Sequence, residues 1–186
     1  MIVEGILPFA RHLISSHIDK NSIVVDATCG NGNDTLFLAN QVTNGQVYAF
    51  DIQEKAINTT KEKTKEYNNI QYYLEGHEKA ADIISAEHNS IDASIFNLGY
   101  LPKGDKSITT NSNTTISAIQ SLFELTKKNG IIVLVVYPGH PEGQIESNDV
   151  LNFVKNIDQN EAHVLNYQFI NQKNNPPYII GIEKRN

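Results

Sequence analysis

The sequence predicts an α/β protein: a mostly parallel, doubly wound sheet of seven strands, helices on both faces, and an antiparallel strand at the end. Three observations carry this. Short apolar runs alternate five times with helix-length segments, the layout of parallel strands joined by crossover helices. The first junction, Val24-Val25-Asp26-Ala27-Thr28-Cys29-Gly30-Asn31-Gly32-Asn33-Asp34-Thr35, reads as strand, tight glycine turn and helix. The last two apolar runs have only a polar turn between them, and a hairpin on a parallel sheet forces one strand to run antiparallel.

Gly5 to Ile18 reads as the first helix, with Ile6, Phe9, Ala10, Leu13 and Ile14 at helical spacing. A polar turn leads to strand Ile23 to Asp26, and the helix after the glycine loop runs to about Val42, before Asn44-Gly45. Gln46 to Ile52 is a second strand, with Asp51 at its end; Gln53 to Tyr67, rich in Lys and Glu, is a helix with a solvated face. Ile70 to Leu74 is the third strand, followed by Glu75-Gly76-His77-Glu78 and a short helix from Ala80 to Ala86. The fourth strand, Ile91 to Phe96, ends at Asn97 and opens into an aperiodic loop, Leu98 to Thr110. Ser112 or Asn113 is expected to cap a helix from Thr115 to Lys127 that stops at Asn129-Gly130. Ile131 to Tyr137 is the most apolar strand, as suits a central one. A loop from Pro138 to Gly143, a helix from Ile145 to Ile157, and strands Ala162 to Ile170 and Tyr178 to Glu183 complete the chain. The hairpin ending is the Class I methyltransferase arrangement rather than the plain dinucleotide fold. With no repeat or linker in view, one domain over residues 1–186 is expected.

At this length the chain buries a core without metal or disulfide support. Its one cysteine excludes an internal disulfide framework and fits a reducing cytosol, so a cytoplasmic protein is expected. The segment from Met1 to Arg11 has no long apolar run, so no signal peptide is read there. No stretch approaches the roughly 20 apolar residues of a membrane span. With 21 acidic against 15 basic residues, the net charge of -6 argues against a general nucleic-acid binder held by phosphate attraction. An enzyme with a local basic face, or one completed by a dimer partner, stays possible.

In an open α/β sheet, ligands bind beyond the carboxyl ends of the strands. Those ends supply Asp26 with Gly30-Asn31-Gly32-Asn33, Asp51 with Gln53, then Gly76-His77-Glu78, Asn97, and Tyr137 with His140. A pyrophosphate-binding loop wants a third glycine and an electropositive cradle. Here Asp34 stands near that third position and Asp26 ends the strand. Two carboxylates suit a cationic ligand without phosphate, which is the character of S-adenosylmethionine (SAM) with its sulfonium and ammonium groups. Asp51 follows the glycine loop by about 20 residues, the place of a carboxylate that accepts both ribose hydroxyls; capping the next helix is its plainer role. Gln53 is then expected beside the ribose or adenine, and His77-Glu78 where the adenine lies. Asn31 and Asn33 either form the turn or face the methionine end of the cofactor. Cys29 has no histidine placed to activate it and reads as a small buried residue. His77 and Glu78 are adjacent rather than at ligand spacing, so no metal site is expected.

The acceptor side is read from Phe96-Asn97-Leu98-Gly99-Tyr100-Leu101-Pro102. Amine methyltransferases often place Asn or Asp, two prolines and an aromatic here, and the amide oxygen and a backbone carbonyl accept the amine's protons. This chain keeps the Asn and the aromatic and lacks the prolines. In-line methyl transfer depends on alignment. A protonated alkylamine must first lose a proton; Asp105 and His140 are the candidate bases, with Tyr137 in support. Asp105 reads equally as a simple turn residue.

Together, the Asp-Ala-Thr-Cys-Gly-Asn-Gly-Asn-Asp-Thr loop, Gly-His-Glu, Phe-Asn-Leu-Gly-Tyr-Leu-Pro-x-Gly-Asp-Lys and Tyr-x-Gly-His-x-x-Gly resemble a small Firmicute family of tRNA 5-(aminomethyl)-2-thiouridine methyltransferases across essentially the whole chain. The resemblance implies SAM-dependent N-methylation of the 5-aminomethyl group of the wobble uridine in tRNA. It implies Asn31, Asn33, Asp51, Gln53, His77 and Glu78 around the cofactor. Asn97 and the loop from Leu98 to Lys106 would face the modified base, with Tyr137 and His140 opposite. It also implies a homodimer, with Lys103, Lys106, Lys127, Lys128 and Arg11 as phosphate candidates. Ribosomal RNA or a small amine is the alternative acceptor, and a SAM-like fold kept as a binding module without catalysis is the third reading.

Overall fold

The structure is a computed structural model and describes residues 2–99 and 109–186. Its seven strands are β1 (Ile23–Asp26), β2 (Gln46–Phe50), β3 (Ile70–Tyr73), β4 (Ile91–Asn97), β5 (Thr126–Val136), β6 (Ala162–Tyr167) and β7 (Tyr178–Lys184). They form one sheet in the order β3-β2-β1-β4-β5-β7-β6. β7 runs antiparallel to both neighbours, and every other pairing is parallel. The chain winds outward from β1 to β3, then returns to place β4 on the other side of β1. That reversal is the switch point where such sheets bind ligands.

Period-two alternation along the strands sorts the core into two layers. Val25, Tyr48, Phe50, Phe96, Ile132 and Leu134 face one side, where they pack against α4 (Ala80–Ser85), α5 (Ser112–Leu125) and α6 (Pro141–Lys155). Val24, Val47, Ala93, Ile95, Val133 and Val135 face the other, against α1 (Ile6–Ser15) and α2 (Asn33–Gln41). Ala49 packs with Cys29 and Ile57 of α3 (Glu54–Lys63).

Several helix ends differ from expectation. α3 stops at Lys63 rather than Tyr67, because Thr64 turns its hydroxyl to Thr60 O and to Tyr72 Oη. α5 begins at Ser112, not Thr115, and its cap is Asn111, whose side chain accepts from Thr114 N. It also ends before Asn129-Gly130: Thr126 is already extended, its hydroxyl closing back on Leu122 O at 2.7 Å. Asn129, at φ 62°, and Gly130 instead lie within β5 at a register shift opposite β4, where a Cβ on Gly130 would strike Thr126 and the Asp92 carbonyl. α6 starts at Pro141, four residues early, with a histidine ring as its cap.

The C-terminus of α2 rests on one side chain. Buried Asn69 donates through Nδ2 to Ala39 O at 3.1 Å and Val42 O at 2.8 Å, taking up carbonyls that no helical amide reaches. Asn69→Ala strands the Ala39 carbonyl and leaves Val42 O with Gly45 N as its remaining donor at 3.0 Å, and urea unfolding should show a loss of about 1–2 kcal/mol; a loss under about 0.5 kcal/mol would mean water replaces the amide.

Candidate active site

The five parallel strand ends open into one cavity of about 790 Å³. Its cofactor-like half is built from the glycine loop. Gly30 and Gly32 have φ of 51° and 73°, the left-handed region that favours glycine. A Cβ on Gly32 would also come within 2.9 Å of the Thr60 Cα, so the loop lies directly on α3. Cys29 N donates to Phe50 O and Gly30 N to Asp51 Oδ2, at 2.8 and 3.0 Å, which ties the loop to the end of β2.

Asp51 takes a second backbone donor, Gln53 N, on Oδ1 at 2.9 Å. Burial raises its pKa, and these amides oppose the shift by favouring the ionised form. An ionised carboxylate has about four acceptor positions, so two remain for a diol. Asn31, Asn33, Gln53 and Glu78 all line the cavity. Asn33 Oδ1 is engaged by Lys63 Nζ at 2.6 Å, which leaves its NH₂ end for a ligand. The Glu78 carboxylate folds back over Gly76.

His77 is buried edge-on against Phe96 with ring centroids 5.5 Å apart. Burial lowers its pKa and keeps it neutral at physiological pH, with Glu78 and the Ala27 backbone acting the other way. His77 lines the cavity, and its buried Nε2 has no hydrogen-bond partner among the described residues. Such an orphaned buried atom is the mark of a site shaped for a polar ligand.

Asp26 differs from the other cofactor candidates. It is 1% exposed and lies beneath the cavity rather than on its wall. Oδ2 accepts from Thr35 Oγ1 at 2.6 Å and Oδ1 from Thr28 N at 3.3 Å. Burial first, then the Asp34 charge, push its pKa up to about 7. Buried Cys29 has its thiol raised well above the usual range by desolvation and contacts Thr60 Oγ1, so it is inert rather than nucleophilic.

The acceptor half gathers Asn97, Tyr137 and His140 on the same cavity. Tyr137 Oη donates to Asn97 Oδ1 at 3.3 Å, and Asn97 N donates to Thr28 Oγ1 at 2.7 Å. His140 Nδ1 accepts from Gly143 N at 3.0 Å as the cap of α6. Glu142 Oε2 approaches the same nitrogen at 3.4 Å, but the amide is nearer and can only donate. His140 Nδ1 is therefore occupied by the helix cap. Asp105, Lys103 and Lys106 lie outside the described residues.

Sequence reasoning gave no role to Glu146, Thr110 or Thr115 and read Arg11 differently. Arg11, read as a phosphate candidate, is committed to Asp34: Nε and Nη2 donate to Oδ1 at 3.0 and 2.9 Å. Asp34 Oδ2 in turn accepts from Asn97 Nδ2 at 2.5 Å. Buried Glu146 accepts from Thr110 and Thr115 hydroxyls at 2.5 and 2.6 Å, and Thr110 Oγ1 also takes Gly99 N, which pins both stems of the acceptor loop. The one sequence signal for this was a carboxylate on the core-facing stripe of α6, beside Gly143, Ser147 and Val150. Lys127 pairs with Asp92, and with Lys128 it sits at the start of β5, the end of the sheet away from the cavity. Among the described residues, no group of three or more His, Cys, Asp or Glu is placed to hold a metal ion.

The fold and this site define a Class I SAM-dependent methyltransferase. Residues 47–183 match the family described as "Putative rRNA methylase", and the chain belongs to that family. A Clostridium thermocellum protein of the same description is 41% identical, with a TM-score of 0.93 over 99% of this chain and 100% of that one. The methyltransferase SMU.1697c of Streptococcus mutans, in complex with SAH, is 39% identical, with a TM-score of 0.88 over 98% and 99% of the two chains. A chloroplastic tRNA (mnm(5)s(2)U34)-methyltransferase of Arabidopsis thaliana is 36% identical over 181 residues. The match covers 91% of this chain and 66% of the Arabidopsis protein, just under two thirds of its length.

Proposed function

We propose that the chain methylates the amine of 5-aminomethyl-2-thiouridine at the wobble position of tRNA, giving 5-methylaminomethyl-2-thiouridine. The observation that carries this is Asn97, standing at the end of β4 between the glycine loop and Tyr137, in one cavity with both. The printed activity of the Arabidopsis relative supports the same substrate.

Bound SAM would supply an electrophilic methyl group for the amine nitrogen, with the sulfur as leaving group and a proton lost from the nitrogen. The chain's residues do the rest. Asp51 would accept the ribose hydroxyls, and Gln53, His77 and Glu78 would meet the adenine. Asn31 and the NH₂ of Asn33 meet the amino-acid end. The orphaned His77 nitrogen, the two remaining acceptor positions on Asp51 and the open glycine turn fit such a ligand. Asn97 aims the acceptor amine, so alignment supplies a large part of the rate. Asp105 and His140 are the candidate proton acceptors in this reading. A cytoplasmic homodimer belongs to the reading as well, since a second copy enlarges the surface that an acidic chain offers to tRNA. Among the described residues no helix is long and apolar enough to cross a membrane.

Nucleoside mass spectrometry of tRNA from a deletion strain tests substrate and reaction together. The 5-aminomethyl-2-thiouridine should accumulate, and its methylated product should return when the gene is restored. Unchanged tRNA would turn the assignment toward ribosomal RNA or a small amine.

A further inference from the structure

Asn97 is a planar amide that a half-turn converts from an acceptor-first to a donor-first group, and its neighbours decide between the two. Its Nδ2 meets Asp34 Oδ2 at 2.5 Å. An ionised carboxylate only accepts, so the opposite rotamer would set two oxygens against each other. Asp34 is itself fixed, because Arg11 holds its other oxygen with two N–H donors. Arg11 Nη2 also reaches Asn33 O at 3.4 Å, so α1 clamps the first turn of α2. On the far side of the amide, Asn97 Oδ1 accepts from the Tyr137 hydroxyl at 3.3 Å, and both residues line the cavity.

We propose that Asp34 and Arg11 are positioning residues that hold the Asn97 amide with its carbonyl oxygen toward the acceptor, selecting an acceptor that donates an N–H. The selectivity for an amine rests on the proposed function; the orientation itself does not. An oxygen facing the incoming nitrogen accepts one of its hydrogens and turns the lone pair toward the methyl group. A flipped amide would present an NH₂ and repel the same hydrogen. Three separate elements, α1, α2 and β4, thereby join the cofactor loop to the acceptor.

Side-chain amide NMR of the ¹⁵N-labelled full chain reads the orientation without substrate. One proton of the Asn97 NH₂ pair, assigned through Asn97→Asp, should lie downfield and exchange slowly, and Asp34→Ala should abolish both features. Arg11→Gln, on a half-exposed helix face, should weaken them and serves if Asp34→Ala does not fold. In turnover of aminomethyl-bearing tRNA, Asp34→Asn should lower kcat about 10- to 100-fold, with KM for tRNA within about threefold. Combining Asp34→Asn with Asn97→Asp reverses the pair: an amide again donates to a carboxylate, and an acceptor oxygen still faces the cavity. This double variant should exceed Asp34→Asn by about fivefold or more. An Asn97 signal indifferent to Asp34→Ala and Arg11→Gln, or a double variant no better than Asp34→Asn, overturns the proposal. A wild-type chain inactive on that tRNA would instead sink the proposed function, and the amide signal would still decide the orientation.

Discussion

Asp51→Ala should abolish useful SAM binding, with a loss of affinity of at least about 100-fold, or roughly 3 kcal/mol. Two effects add in one side chain. The carboxylate is the acceptor for Gly30 N and Gln53 N, so its removal orphans two amides that hold the glycine turn against β2. It also removes the two remaining acceptor positions, which a vicinal diol fills with charge-assisted hydrogen bonds. Asp51→Asn keeps one oxygen and should lose only about 10-fold. Isothermal calorimetry measures both, and a thermal melt without ligand separates the first effect from the second. If Asp51→Ala binds SAM within about threefold of wild type, Asp51 is a turn cap and the ribose lies elsewhere.

How far this site is legible in the sequence depends on whether a residue's role is local. Strand ends are local. An apolar run such as Ile131 to Val136 can only be a buried strand, and the chemistry of parallel sheets lies past its carboxyl end. Asp51, His77, Asn97, Tyr137 and His140 follow from that rule, and the cavity gathers all five. Helix ends are less legible because the side chains that stop them are set by tertiary contacts. Thr64 closes α3 with help from Tyr72 on β3, and a histidine ring caps α6 where Ser, Thr, Asp or Asn is the usual choice. The least legible parts are long-range pairs. Arg11 and Asp34 are 23 residues apart, and Thr110 and Glu146 36, and neither separation leaves a periodicity. The negative charge of the glycine loop was readable, but its division of labour was not. Asp34 lines the cavity, whereas Asp26 supports the loop from below.

That supporting carboxyl carries a large, signed pH effect. Desolvation and the neighbouring Asp34 charge raise Asp26 from 3.8 to about 7, against hydrogen bonds from Thr35 and Thr28 that favour its ionised form. Between those pH values the folded chain holds a proton that the unfolded chain has lost. The contribution of Asp26 to stability is therefore greatest below about pH 4 and declines as pH rises. Above about pH 7 it levels off at a cost on the order of 4 kcal/mol. Asp26→Asn cannot titrate. Its amide oxygen keeps the Thr35 hydroxyl but its NH₂ faces Thr28 N–H, so the variant carries a fixed penalty of about 1–2 kcal/mol at every pH. The difference in unfolding free energy between variant and wild type should consequently shift in the variant's favour by up to about 4 kcal/mol from pH 4 to pH 8. Urea unfolding across that range checks it. Parallel curves for the two proteins would mean that Asp26 is ionised throughout, and that Thr35, Thr28 and solvent screening outweigh its burial.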